Sequence, residues 1–259
     1  MNELDLEAAP AAPLAEILRP KTLDDVVGQA PLLGPQGRLR LMLAHGSLGS
    51  IIFWGPPGTG KTTIARLLAD AADMAFEPIS AVFDGVGELR KVFDRAAQRR
   101  LQGRRTLLFV DEVHRFNKAQ QDGLLPRVED GTVTLVGATT ENPSFALNGA
   151  LLSRAQVLVL DRLDRTALEA ILSRLEAHIG RDLPIDDDAR TALLGMADGD
   201  GRYLLNMASL LVEMPATTRL DSRGLAELLA GRAPAFDRAG DQHYNLMSAL
   251  HKTLRSSDA

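Results

Sequence analysis

A chain of 259 residues, 45% hydrophobic and 24% charged, is long enough to bury a proper core as one large domain or two smaller ones. The absence of cysteine excludes a disulfide framework, a thiolate zinc site, an iron–sulfur cluster and cysteine nucleophilic catalysis, and an aromatic content of 4% argues against a β-sandwich or an aromatic-lined carbohydrate site. No run approaches the roughly 18 apolar residues of a membrane span and the acidic start lacks a signal peptide's cations, so a soluble, cytoplasmic protein is predicted; the net charge of −5 leaves any nucleic-acid contact to a local patch.

Residues 1–20 are rich in Ala and Pro, and Pro10, Pro13 and Pro20 interrupt any helix, which predicts an extended arm. Residues 21–160 follow as an α/β core. The apolar runs Ile51-Ile-Phe-Trp54, Ala75-Phe-Glu-Pro-Ile79, Thr106-Leu-Leu-Phe-Val110, Thr132-Val-Thr-Leu-Val-Gly137 and Gln156-Val-Leu-Val-Leu160 alternate with amphipathic stretches. Continuous apolar strands separated by helices imply a five-stranded parallel sheet covered on both faces. Residues 161–230 carry no strand pattern; helical periodicity begins at Asp164, Asp187, Arg202 and Ser222, giving a small all-α domain. Residues 231–259 read as a linker, Gly231 to Gly240, and an amphipathic helix from His243 that the chain end cuts short, so the chain is expected to be C-terminally truncated.

Gly55-Pro-Pro-Gly-Thr-Gly-Lys-Thr62 follows a strand and opens a helix, the setting that a phosphate-binding loop requires. Glycines let backbone N–H groups curl around phosphates, and the helix N-terminus adds its positive dipole end. ATP with Mg²⁺ is the expected ligand pair. Gly55, Pro56, Pro57, Gly58, Thr59, Gly60, Lys61, Thr62 and Thr63 are the candidate nucleotide contacts, with Lys61 on the β- and γ-phosphates and the Thr62 hydroxyl on the metal. About fifty residues on, Leu107-Leu-Phe-Val-Asp111-Glu112 is an apolar strand ending in two acids. Asp111 suits the metal; Glu112 suits a base that orients and deprotonates water, which predicts hydrolysis rather than transfer to a substrate.

With these motifs, Pro13 to Gln29, Asp111-Glu-Val-His-Arg-Phe-Asn-Lys118, Val136-Gly-Ala-Thr-Thr-Glu-Asn-Pro143 and Ala150-Leu-Leu-Ser-Arg154 closely resemble the replication-associated recombination protein A family. These are AAA+ ATPases of the clamp-loader side, bacterial relatives of the Werner-helicase-interacting ATPase. The resemblance implies an AAA+ P-loop NTPase fold with a helical lid. It also implies a sensor hydroxyl at Thr139, or Thr140 in the alternative register, an arginine finger at Arg154 that reaches a neighbouring subunit's site, a lid arginine at Arg202, and Val27 and Gly28 against the adenine. Catalytic roles are thus expected for Lys61, Glu112, Thr139, Arg154 and Arg202. His114, just past the acid pair, is given none.

By the same resemblance the protein works in DNA replication, recombination and repair at stalled forks, on DNA ends or gaps, with single-stranded-DNA-binding protein, as a nucleoid-associated homo-oligomer; the chain itself, lacking the family's C-terminal region, is expected to associate weakly and turn over slowly. Lys91, Arg95 and Arg99 recur at i, i+4, i+8, with Arg90, Arg100, Arg104 and Arg105 adjacent, a stripe that reads either as a solvated helix exterior or as a track for a phosphate backbone. Phe83, in the glycine-bearing loop before that helix, is a further candidate DNA contact. Alternatives are a RuvB-like Holliday-junction motor, which should carry a winged-helix domain, and a clamp-loader-like scaffold, which would not need both Glu112 and Arg154.

Overall fold

The structure is a computed structural model that describes residues 12–215 and 217–236. Its elements are α1 (Leu14–Ile17), α2 (Ala30–Leu33), α3 (Arg38–Ala44), β1 (Ile51–Trp54), α4 (Lys61–Ala71), β2 (Met74–Ser80), α5 (Val86–Leu101) and β3 (Arg105–Asp111). They continue with α6 (Lys118–Glu129), β4 (Thr134–Thr139), α7 (Pro143–Ala146), α8 (Gly149–Leu152), β5 (Gln156–Val159), α9 (Arg165–Ile179), α10 (Asp187–Ala197), α11 (Gly201–Val212) and α12 (Ser222–Phe236). Short 3-10 turns stand at Leu23–Asp25 and Val113–Arg115.

Each predicted strand is present, and all ladders are parallel, in the order β2-β3-β4-β1-β5. Alternation sends Ile51, Phe53, Leu107, Phe109, Val136 and Ala138 to one face, where they pack with Leu39 of α3 and Ile64, Ala65 and Leu68 of α4. Ile52, Leu108, Val110 and Leu135 take the other face, with Leu89, Val92 and Ala96 of α5 and Leu124 of α6. Burial on both faces explains why these strands read as unbroken apolar runs. Pro78, which has no N–H to give, is accommodated because β2 is an edge strand.

Two sequence expectations for the ends of the chain need correction. The arm read as extended contains one helical turn, α1, because Pro13 stands at its N-cap, a position where a missing N–H costs nothing. The linker expected from Gly231 is helical as far as Phe236; Gly231 alone costs about 1 kcal/mol in a helix interior, too little to end a helix held by buried Leu225 and Leu229, and Pro234, the stronger breaker, falls in the last turn. The remainder of that linker, the helix from His243 and residues 1–11 lie outside the described residues.

The described residues divide into two compact units: one comprises residues 20–171 and 197–201, the other residues 12–19, 172–196, 202–215 and 217–236. The break thus falls within α9 rather than at residue 160. In the sheet unit, the start of α9 is held because Leu163 and Ala167 meet the Gly28 backbone, with Leu163 Cδ2 only 3.0 Å from where a Cβ on Gly28 would stand. The helical unit has its own apolar interior, including Leu172, Leu175, Leu193, Leu204, Leu211 and Leu225. Within it Glu176 accepts two hydrogen bonds from Arg190, at 2.7 and 3.0 Å, and one from the Leu183 N–H. Burial raises this carboxyl's pKa, but the Arg190 and Leu183 bonds outweigh it and the net shift is downward.

Beside the sheet, Glu77 of β2 is held by Arg95 at 2.7 and 3.1 Å and by Arg99 at 2.5 Å. The Arg95 hydrogen bond holds its carboxyl below the usual range against the opposing effect of burial, and Arg99 adds to it. A lowered folded-state pKa means that the stabilisation is complete above the unfolded value, near 4.5, and is lost as pH falls through the folded one. Glu77→Gln is therefore expected to cost about 1.5–3 kcal/mol at neutral pH and to flatten the acid limb of the unfolding midpoint against pH, read by thermal melts. An unchanged acid limb would show that the cluster does not contribute.

Candidate functional site

The site is built at the C-terminal edge of the parallel sheet, where β1, β3 and β4 end side by side. Pairing of Trp54 with Thr139, and of Val110 with Gly137, brings the ends of these strands to one level. Ligands of open α/β sheets bind at this edge.

The loop after β1 has the backbone its glycines require. Gly58 (φ +65°) and Gly60 (φ +97°) lie in the left-handed region, and a Cβ on Gly58 would overlap the Asp200 carboxylate. A Cβ on Gly55 would likewise overlap the Leu160 carbonyl. The Gly201 N–H donates to the Gly58 carbonyl at 3.2 Å, and the Thr59 hydroxyl to the Pro56 carbonyl at 2.9 Å. Pro56 and Pro57 fill the tip of the loop, and α4 starts at Lys61, with Thr62 and Thr63 in its first turn. Lys61 is 8% exposed; its ammonium donates to the Gly55 and Pro56 carbonyls, both at 2.7 Å. Left-handed glycines, a helix N-terminus and a buried ammonium fit a polyphosphate.

Asp111 closes β3 and Glu112 follows it with φ +52° and ψ +45°, a left-handed backbone that costs a non-glycine residue about 1–2 kcal/mol. Strain of this kind is held in place by its surroundings and collects at working sites. Here the surroundings are the 3-10 turn Val113–Arg115, whose Val113 side chain lies 3.2 Å from where a Cβ on Gly137 would stand. That packing of turn against β4 carries His114 to Thr139. Among the described residues no group of three or more His, Asp or Glu side chains forms a metal cage. One hydroxyl, Thr62, and one carboxylate, Asp111, suit Mg²⁺, which keeps several waters and takes its other ligands from phosphate oxygens.

Of the two candidate sensor residues, Thr139 is fully buried at the end of β4 while Thr140 is exposed beyond it. The Thr139 carbonyl accepts from the Gly55 N–H at 3.2 Å, tying the strand end to the phosphate loop. His114, given no role from sequence, has a side chain only 4% exposed, with Nδ1 2.9 Å from Thr139 Oγ1 and 3.3 Å from Glu112 Oε2. A lone histidine in sequence carries no signal of this; only the turn geometry reveals it. Gln29 was also unmarked: its amide donates to the Asp161 carbonyl at 2.7 Å and accepts from the Asp161 N–H at 3.2 Å, anchoring the Val27-Gly28 segment beside the sheet.

Arg154 is not brought to these residues. It stands two residues before β5, at the opposite edge of the sheet, where it pairs with Glu129 at 2.5 Å and donates to the Ala150 carbonyl at 2.9 Å. Arg202, exposed in the first turn of α11, belongs to the helical unit.

The cation stripe is largely spent on structure. Arg95 and Arg99 are bound to Glu77, Lys91 to Glu88, Arg100 to Asp130 at 3.8 Å and Arg105 to the Ala72 carbonyl. Arg90 and Arg104 make no such contact among the described residues. Phe83, by contrast, is 89% exposed, with Val82 and Val86 exposed beside it.

Comparison with known proteins bears on this site. Residues 51–163 match the family model of ATPases associated with various cellular activities (AAA), and residues 179–255 match that of the AAA C-terminal domain. Replication-associated recombination protein A of Haemophilus influenzae is 46% identical over 95% of the chain, and that of Escherichia coli K12 is 45% identical over 98%. The chain belongs to the replication-associated recombination protein A family of AAA+ ATPases.

The chain spans 57% and 59% of the length of those two family members. A more distant relative, the ATPase WRNIP1 of Dictyostelium discoideum, is 39% identical over 96% of the chain. Among solved structures, the Thermotoga maritima RuvB Holliday junction branch migration motor is similar in fold, with a TM-score of 0.67 and 26% identity, covering 83% of this chain and 72% of RuvB. The family thus accounts for the sheet, for the loop after β1 and for the helical region that follows. No described helix is long and apolar enough to cross a membrane.

Proposed function

We propose that the protein hydrolyses ATP in a Mg²⁺-dependent reaction coupled to DNA remodelling or protein recruitment at stalled replication forks. The observation that carries the hydrolytic half is the convergence, at one sheet edge, of a left-handed glycine loop with a buried lysine, an Asp-Glu pair and a buried threonine. In this reading backbone N–H groups of Gly58 to Thr62 and the Lys61 ammonium hold the phosphates. Thr62 and Asp111 hold Mg²⁺, which when bound neutralises phosphate charge. Glu112 takes the proton of the attacking water, and Thr139 orients the water or the terminal phosphate. Arg202 links the helical unit to nucleotide state, and Val27 and Gly28 line the adenine.

The fork half is supported by the names of the relatives and by their 45–46% identity, against 26% for the branch-migration motor. Both are DNA-processing proteins by name, which supports DNA as the partner, with single-stranded-DNA-binding protein and further copies of the chain as the other expected ones. Exposed Phe83, at the tip of the loop after β2, is the candidate contact to the strand, since a free aromatic face can stack on any base.

ATP turnover of the intact protein on single-stranded, blunt, gapped and forked DNA tests this. Stimulation by forked or gapped DNA is expected, together with its reduction in Phe83→Ala. Equal turnover on all four DNAs and without DNA would overturn the fork assignment.

A further inference from the structure

His114 lies where three groups of the site meet. Its Nδ1 is 2.9 Å from Thr139 Oγ1 and 3.3 Å from Glu112 Oε2, and its Nε2 is 3.4 Å from Glu141 Oε1. Thr139 Oγ1 also accepts from the Glu141 N–H at 3.1 Å and faces the Glu141 carbonyl at 3.3 Å. With the hydroxyl proton directed to that carbonyl, a proton on Nδ1 reaches both the Thr139 oxygen and the Glu112 carboxylate. The ring has little freedom to do otherwise. It is 4% exposed, it belongs to a tight 3-10 turn packed on Gly137, and the residue that opens the turn is the strained Glu112.

We infer that His114 is a positioning residue of the hydrolytic site: through Nδ1 it joins the Glu112 carboxylate to the Thr139 hydroxyl, so that base and sensor move as one unit. The inference rests on the reading of Glu112 as the base and Thr139 as the sensor. Glu112 is the more exposed partner, its side chain being 34% exposed, and among the described residues His114 is the side chain that meets its carboxylate. Displacement of a reacting group by about 1 Å can cost on the order of 10²-fold in rate. Substrate binding, which depends on the loop after β1, does not pass through His114.

The test compares three variants in the intact protein. Asparagine places an amide nitrogen near the Nδ1 position, glutamine places one near Nε2, and leucine places none. His114→Asn is expected to keep kcat within about threefold of wild type. His114→Gln and His114→Leu are expected to lose about 10- to 100-fold in kcat, with KM and nucleotide affinity changed less than twofold. In a Glu112→Gln background, His114→Leu should cause no further loss, because the group it positions is already disabled.

Full turnover in His114→Leu, equal impairment of the Asn and Gln variants, or additive loss in the double variant would each overturn the inference. Should the leucine variant fail to fold, the Asn and Gln pair decides alone. Failure of the underlying reading looks different: wild-type protein would then turn over no ATP, or Glu112→Gln would be as active as wild type.

Discussion

Replacing Glu112 by glutamine is expected to lower ATP turnover by about 10²- to 10⁴-fold while leaving nucleotide affinity nearly intact. The amide has the shape of the carboxylate and can still accept a hydrogen bond from His114, so the turn and its left-handed first residue should persist. What it lacks is the capacity to take a proton from water. Affinity should survive because the phosphate loop belongs to a separate segment, Gly55 to Thr63, tied to Thr139 through the Gly55 N–H rather than to Glu112. Equilibrium nucleotide binding and steady-state turnover, measured on the same preparation, separate the two effects. A variant that keeps its turnover would remove Glu112 from the chemistry; one that loses affinity in proportion would make it a binding residue.

Arg154→Ala carries the second large effect. The register pairs Ile51 with Gln156, so Arg154 precedes the start of β5 whereas the phosphate loop follows the end of β1. At roughly 3.3 Å per residue, the four residues of β1 put about 13 Å of strand between the two edges. An arginine so placed cannot serve the phosphates bound by its own chain, and any contribution must come across a subunit boundary. An arginine supplied in trans is worth about 10³–10⁵ in rate. The variant should therefore be nearly inactive alone, and so should Lys61→Ala. Mixed as intact proteins, the two are expected to regain turnover if Arg154 acts between proposed copies of the chain, because the Arg154→Ala chain keeps a complete phosphate loop and the Lys61→Ala chain keeps its arginine. No recovery on mixing, with both variants folded and assembled, would argue that Arg154 serves its Glu129 ion pair and nothing more.

How much of this was legible before folding depends on the range of the interactions involved. The strands were, since burial on both faces leaves an apolar run that local sequence carries in full. So was the loop after β1, whose glycines answer to backbone geometry within a few residues. The α5 stripe was not. Arg95 and Arg99 lie on one helical face in sequence, but Glu77, which holds them, comes from the preceding strand and shows only when β2 and α5 pack together. His114 was invisible for the same reason, since its contact with Thr139 spans 25 residues and depends on Gly137 admitting Val113. Thr139 and Thr140 are one residue apart, and only the pairing of β4 with β1 shows that Thr139 is the buried strand end while Thr140 is exposed beyond it. The break inside α9 follows from the side chains of Leu163 and Ala167 meeting Gly28, a contact that helical periodicity alone does not announce.

The decisive measurement is ATP turnover of the intact protein with Mg²⁺, compared with its Lys61→Ala variant and with the same protein in excess chelator. Buried Lys61, its ammonium between the Gly55 and Pro56 carbonyls, is the one cation of the loop, and hydrolysis should fall to background both on its removal and on chelation. Hydrolysis by Lys61→Ala at the wild-type rate would contradict the assignment of this sheet edge as the site of the reaction.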